Sequence, residues 1–178
     1  MGICHKVYMV PMYATFGIAQ GAMPLIGYNY ASGNVPRIKK AISFTRAANL
    51  IVITTAGLLF FIFPTFFISL FIKDQAIIDH GVHLLRGFSL SLPMLSIDFF
   101  SVAVFQSVGM GKEAFIFAIL RKLVLEIPCL FLLNALFPLY GLPYAQVVAE
   151  VVLAVASFIV LAKFYRKLDE MYPQVKQV

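Results

Sequence analysis

Apolar residues run along this chain in five stretches separated by short polar breaks. A helix needs about 20 apolar residues to cross a bilayer. By that measure the pattern predicts helices over about 7–30, 47–72, 87–110, 114–139 and 142–162. The second stretch carries no charge and is broken only by Gly57 and Pro64, while the third holds one charge, Asp98. The fold class that follows is all-α: a polytopic membrane helix bundle.

The breaks read as helix stops and turns. Ala31-Ser32-Gly33-Asn34-Val35-Pro36 closes the first stretch, where glycine, asparagine and proline punctuate the chain. Lys73-Asp74 ends the second, and Asp74 has the chemistry of an N-cap for a helix starting at Gln75. Gly109-Met110-Gly111 and Pro138-Leu139-Tyr140-Gly141 separate the last three. None of these linkers marks a domain boundary, so 1–178 reads as one membrane domain.

Lys and Arg placement sets the orientation, because cytoplasmic loops collect positive charge. On one face lie Arg37, Lys39, Lys40 and Arg46, then Lys112, Arg121 and Lys122, then Lys163, Arg166, Lys167 and Lys176. The other face has Lys6, Lys73 and Arg86. The richer face is expected to be cytoplasmic. That puts the C-terminus inside and, with five spans, the N-terminus outside. An exported N-terminus with no leader ahead of it suggests a portion of a longer protein.

Composition agrees with lipid as the solvent. Hydrophobic residues make up 61% of the chain and charged residues only 12%, with a mean hydropathy of +0.91. Soluble domains carry about 25% charged residues. The net charge of +6 comes from short clusters, not a continuous basic stripe, which argues against nucleic acid. Cys4 and Cys129 have no spacing for a bridge or a metal site, and His5, His80 and His83 make no ligand pattern. No Ser/His/Asp or Cys/His constellation can be assembled, so an enzyme is not expected, and no filter-like loop suggests a channel.

The acidic residues inside the apolar stretches hold the candidate chemistry. Asp98 lies near the middle of the third, where an unpaired charge costs about 3 kcal/mol or more. It must be protonated, bind a cation, or accept a hydrogen bond from a neighbouring hydroxyl such as Ser96 or Ser101. Glu126 can pair with Lys122 four residues earlier. Glu150 lies eight residues into the last span and is expected to face the bundle interior. Gln20, Asn29, Asn49, Gln106 and Gln146 are polar groups that either meet a substrate or bridge helices. Gly17 and Gly21 form a G-x-x-x-G pair, a spacing that lets helix backbones approach closely in lipid. Pro24, Pro64, Pro93 and Pro128 fall inside spans, where proline bends a helix. The 18 Phe could offer cation–π faces to organic cations, although most must meet lipid.

Three motifs carry a family resemblance. Residues 17–42, with Gly17-Ile18-Ala19-Gln20-Gly21-Ala22-Met23-Pro24 leading to Gly27-Tyr28-Asn29-Tyr30, resemble the signature closing the eighth helix of multidrug and toxic compound extrusion (MATE) transporters. Here Ala31-Ser32-Gly33-Asn34 departs from the usual Gly-Ala pair. Phe105 through Lys112 is similar to the end of the tenth helix. Leu120-Arg121, Ile127-Pro128 and Phe137 through Leu142 are similar to the eleventh helix and its outer loop. Together, in this order and spacing, they are specific.

The resemblance implies a twelve-helix antiporter of two six-helix lobes, of which this chain supplies helices eight to twelve. The helices of the missing N-terminal lobe would then be a partner. Family topology puts both termini inside, in agreement with the charge-based orientation. It implies a multi-pass plasma-membrane exporter of small organic cations or drugs, driven by H⁺ or Na⁺ and needing no cofactor. Asp98 sits at a position similar to a tenth-helix acid that binds the ion in the sodium-coupled branch. Glu150 and Glu126 are further ion-coupling candidates, and Gln20, Asn29 and Gln106 are cavity candidates. A lipid-linked oligosaccharide flippase of the same superfamily is the alternative, and predicts more cationic residues within the spans. A small non-transporting membrane protein is another.

Overall fold

The computed structural model describes residues 2–136 and 141–171. Five helical rods overlap the five expected segments, the second and third beginning twelve residues earlier than expected, at Val35 and Gln75, and among the described residues there is no strand. Helix α1 spans Gly2–Ala31, α2 Val35–Ile62, the short α3 Pro64–Ser69, and α4 Gln75–Ser107. The fourth rod is composite: α5 (Gly111–Ile119), a π-helical segment (Leu120–Glu126) and α6 (Ile127–Leu136). The last, α7, spans Gly141–Met171. By length and hydropathy, α2, α4 and α7 from Pro143 qualify as membrane spans. Helix α1 is long enough but is not among the helices that meet the hydropathy criterion, and the composite rod has no unbroken helix of that length.

Helix ends follow local chemistry. Asp74 Oδ1 accepts from the backbone N–H groups of Ala76 (3.0 Å) and Ile77 (3.4 Å), forming the expected cap of α4. Asn34 caps α2 by accepting from Arg37 N at 3.2 Å, and Gly33 turns the chain at φ 69°. Pro64 breaks the second rod as expected: it disfavours a helical Phe63, whose φ of −116° and ψ of 44° end α2, and then opens α3. Pro128 likewise stands near the start of α6, whereas Pro24 and Pro93 lie within continuous helices. Gly57 does not interrupt its helix. It lies in the C-terminal part of α2, where a Cβ would stand 3.3 Å from Ser89 O on α4. The residues 137–140 of the expected outer loop, and Lys176, lie outside the described residues.

Helix α4 is the hub. It packs against α7, α1 and α2, and 67% of its most apolar window is buried, against 28% for α2 and 39% for α7. Two apolar cores lie along it. One, towards the 31–35 turn, joins Ile26, Ile38, Ile42, Phe105, Leu153 and Phe164. The other, towards the 63–75 turn, joins Tyr8, Ile53, Phe60, Leu85 and Leu95. Asp98 falls on α4 between them, after Leu95 of the second and before Phe100 of the first. Outward-facing side chains such as Phe44, Ile51, Leu58 and Phe158 are exposed and apolar, as a lipid-facing surface requires.

Candidate functional site

Between the two cores, three helices bring three charges together. Asp98 on α4 is 1% exposed. Its Oδ2 accepts from Arg121 Nη1 at 2.9 Å, and its Oδ1 from the Ser157 hydroxyl at 3.2 Å. Arg121 Nη2 donates to Glu150 Oε1 at 2.6 Å, so one guanidinium bridges both carboxylates. Glu150 and Ser157 are seven residues apart on α7, two helical turns, which puts both on the face toward α4. Arg121 is delivered by the π-helical segment, a form frequent at functional sites. Its Cζ also stands 4.3 Å from the Phe99 ring centroid, within cation–π range.

Carboxylates outnumber cations in this cluster. Two carboxylates share one guanidinium, and the buried Glu150 Oε2 has no hydrogen-bond partner. The cluster borders a cavity of about 270 Å³ lined by Tyr8, Met12, Phe99, Arg121, Glu126 and Gln146 among others. A second polar link lies beside it. Ser91 Oγ donates to Phe88 O at 2.8 Å, so Tyr8 must be the donor in its 3.2 Å contact with Ser91. The Tyr8 oxygen then accepts from Gln146 Nε2 at 2.7 Å, which ties α7 to α1 and α4.

Several sequence expectations change here. The hydroxyl bonded to Asp98 is Ser157, from another helix, while Ser101 donates to Ile97 O within its own. Arg121, counted in the sequence among the charges at the entrance to the fourth span, lies half-buried inside the bundle and pairs there with two carboxylates. Its depth had a signal, since nine helical residues beyond Lys112 is about 13 Å of rise. Glu126 pairs with Lys122 at 2.7 Å, the expected one-turn contact, and still lines the cavity. Glu150 faces inward as its position suggested.

The first rod behaves differently. A Cβ at Gly17 or Gly21 would meet nothing within 4 Å, so this pair does not pack helices within the described chain. Gln20 and Pro24 are exposed on α1, and Gln106 is exposed on α4. Asn29 is buried and donates to Leu25 O at 2.7 Å, one turn back on its own helix. Asn49 is fully buried, with both amide atoms unpartnered.

The MatE family model matches residues 1–132. The chain belongs to the MatE family. It is 31% identical over 160 residues to the multidrug export protein MepA of Staphylococcus aureus (strain bovine RF122 / ET3-1), covering 90% of this chain and 35% of that protein. The Staphylococcus saprophyticus multidrug export protein MepA is 29% identical over 160 residues, with the same coverage. The chain thus spans about a third of the length of these curated relatives. Among solved structures, an outward-facing multidrug resistance MATE transporter of the MOP superfamily superposes with a TM-score of 0.88 at 18% identity, over 95% of this chain and 38% of that one. An inward-facing one gives 0.83 at 19% identity, over 94% and 39%. These likenesses establish the fold, a MATE-type multi-pass membrane bundle.

Proposed function

We propose that this chain forms the ion-coupling part of a secondary active exporter of small organic cations, driven by inward H⁺ or Na⁺. Within a two-lobe carrier its five rods would cross the bilayer as the last five helices, in the plasma membrane, with the C-terminus cytoplasmic. The observation that supports this most is that two buried carboxylates, Asp98 and Glu150, share the single guanidinium of Arg121 beside an aromatic-lined cavity. A buried site with one uncompensated negative charge favours a monovalent cation. Ion occupancy of Asp98 and Glu150 then biases which side of the carrier is open, the alternating access that two-lobe transporters use.

The open α1 face, with Gly17, Gly21, Gln20 and Pro24, is the surface this reading assigns to the N-terminal lobe. The flippase alternative calls for free cations within the spans, to meet pyrophosphate. Arg121 is a cation at that depth, but two carboxylates occupy it. In proteoliposomes holding the complete carrier, Asp98→Asn is expected to abolish ion-driven efflux while insertion stays intact. Undiminished ion-driven efflux by that variant overturns the proposal.

A further inference from the structure

We propose that Arg121 is a resident counter-cation of the coupling site, which the incoming monovalent ion displaces from Glu150; this rests on the carboxylate reading above. The guanidinium holds its two partners unequally. It meets Asp98, whose other oxygen already accepts from Ser157, and it meets Glu150, whose other oxygen has no partner. Glu150 therefore keeps one oxygen with no partner, whereas each oxygen of Asp98 already accepts a hydrogen bond. An ion arriving at Glu150 satisfies Oε2 and competes for the charge that Arg121 now meets.

Arg121 has a place to remain when it lets Glu150 go. Its Asp98 contact persists, and its Cζ already lies over the Phe99 ring at 4.3 Å. Its side chain is 11% exposed, so it borders the cavity through which an ion reaches it. Two carboxylates without this cation would bind an ion tightly and release it slowly. The tethered guanidinium takes the place of the ion on release, which gives the site an empty state with no unpaired buried dianion. Other titratable or charged groups near the cluster are His5 and Tyr8 from α1, and Lys122 and Glu126 from the π-helical segment. Lys122 and Glu126 pair with each other and leave the cluster charge unchanged.

The test uses the 178-residue chain in lipid nanodiscs. The probes are radioactive Na⁺ alone and, in a separate Na⁺-free arm, H⁺ uptake followed with an indicator dye. Arg121→Gln should lower the half-saturating concentration of the ion that binds by on the order of tenfold or more, with Arg121→Lys between it and wild type. An unchanged or raised half-saturating concentration overturns the proposal. Should Arg121→Gln fail to insert, Arg121→Lys carries the test: it keeps the positive charge but loses the two-armed bridge to Asp98 and Glu150, and it too should bind more tightly than wild type. In the wild-type chain, the guanidinium nitrogen resonances of Arg121 should shift on ion addition, and their constancy at saturation also overturns it. Asp98→Asn separates the two ideas. Loss of ion binding there with normal affinity in Arg121→Gln removes the role of Arg121 alone, whereas wild-type binding in Asp98→Asn removes the carboxylate site itself.

Discussion

The inner faces of α4 and α7 and the outer face of α1 carry the same kinds of residue to opposite ends. Both interrupt apolar helices with polar or small side chains. On α4 and α7, Asp98, Glu150 and Ser157 are buried, and Arg121 ties them together. On α1, Gly17, Gln20, Gly21 and Pro24 face outward, and the two glycines have open space where a side chain would go. In lipid, a polar or small residue on a helix signals a neighbour. The difference is that the first face has its neighbours inside this bundle, whereas the second meets none among the described residues.

Substitutions can break this contrast. Arg121→Leu leaves two buried carboxylates uncompensated, and should cost about 3–5 kcal/mol of stability in a detergent unfolding titration. A loss near zero would mean that the cluster is not charged as described. Gly87→Ala puts a Cβ 2.7 Å from Pro143 Cβ where α4 meets α7, and should cost about 1–3 kcal/mol in the same titration. Ser157→Ala removes one donor from Asp98, at a cost of about 1–3 kcal/mol. Thermal melts should rank it below Arg121→Leu, and the reverse order would count against the bridging guanidinium. Gly17→Ala and Gly21→Ala should leave the stability of the isolated chain within about 0.5 kcal/mol. A loss as large as that of Gly87→Ala would show the α1 face to be packed after all.

Much of the fold was legible because long apolar runs have few alternatives in a membrane protein. Asp74 and Pro64 act locally, through a side-chain cap and a steric restriction, so their effects could be read from neighbours in the chain. Gly57 was misread as a break because its function depends on Ser89, on another helix. Arg121 was misread for a related reason. Counting Lys and Arg treats each as a marker of the membrane edge, and a paired arginine at depth violates that premise. The π-helical segment that carries it has little sequence signature beyond Pro128 downstream. Asp98 and Glu150 stood out singly as acids among apolar residues. Their shared partner did not, since it comes from a third helix 23 and 29 residues away in sequence.

The most direct measurement is the number of monovalent cations bound per chain in lipid nanodiscs, with wild type compared against Asp98→Asn/Glu150→Asn. Two carboxylates and one guanidinium leave room for one cation in the wild type and none in the double variant. Equal ion binding by the two chains would contradict the assignment of the coupling site to this cluster.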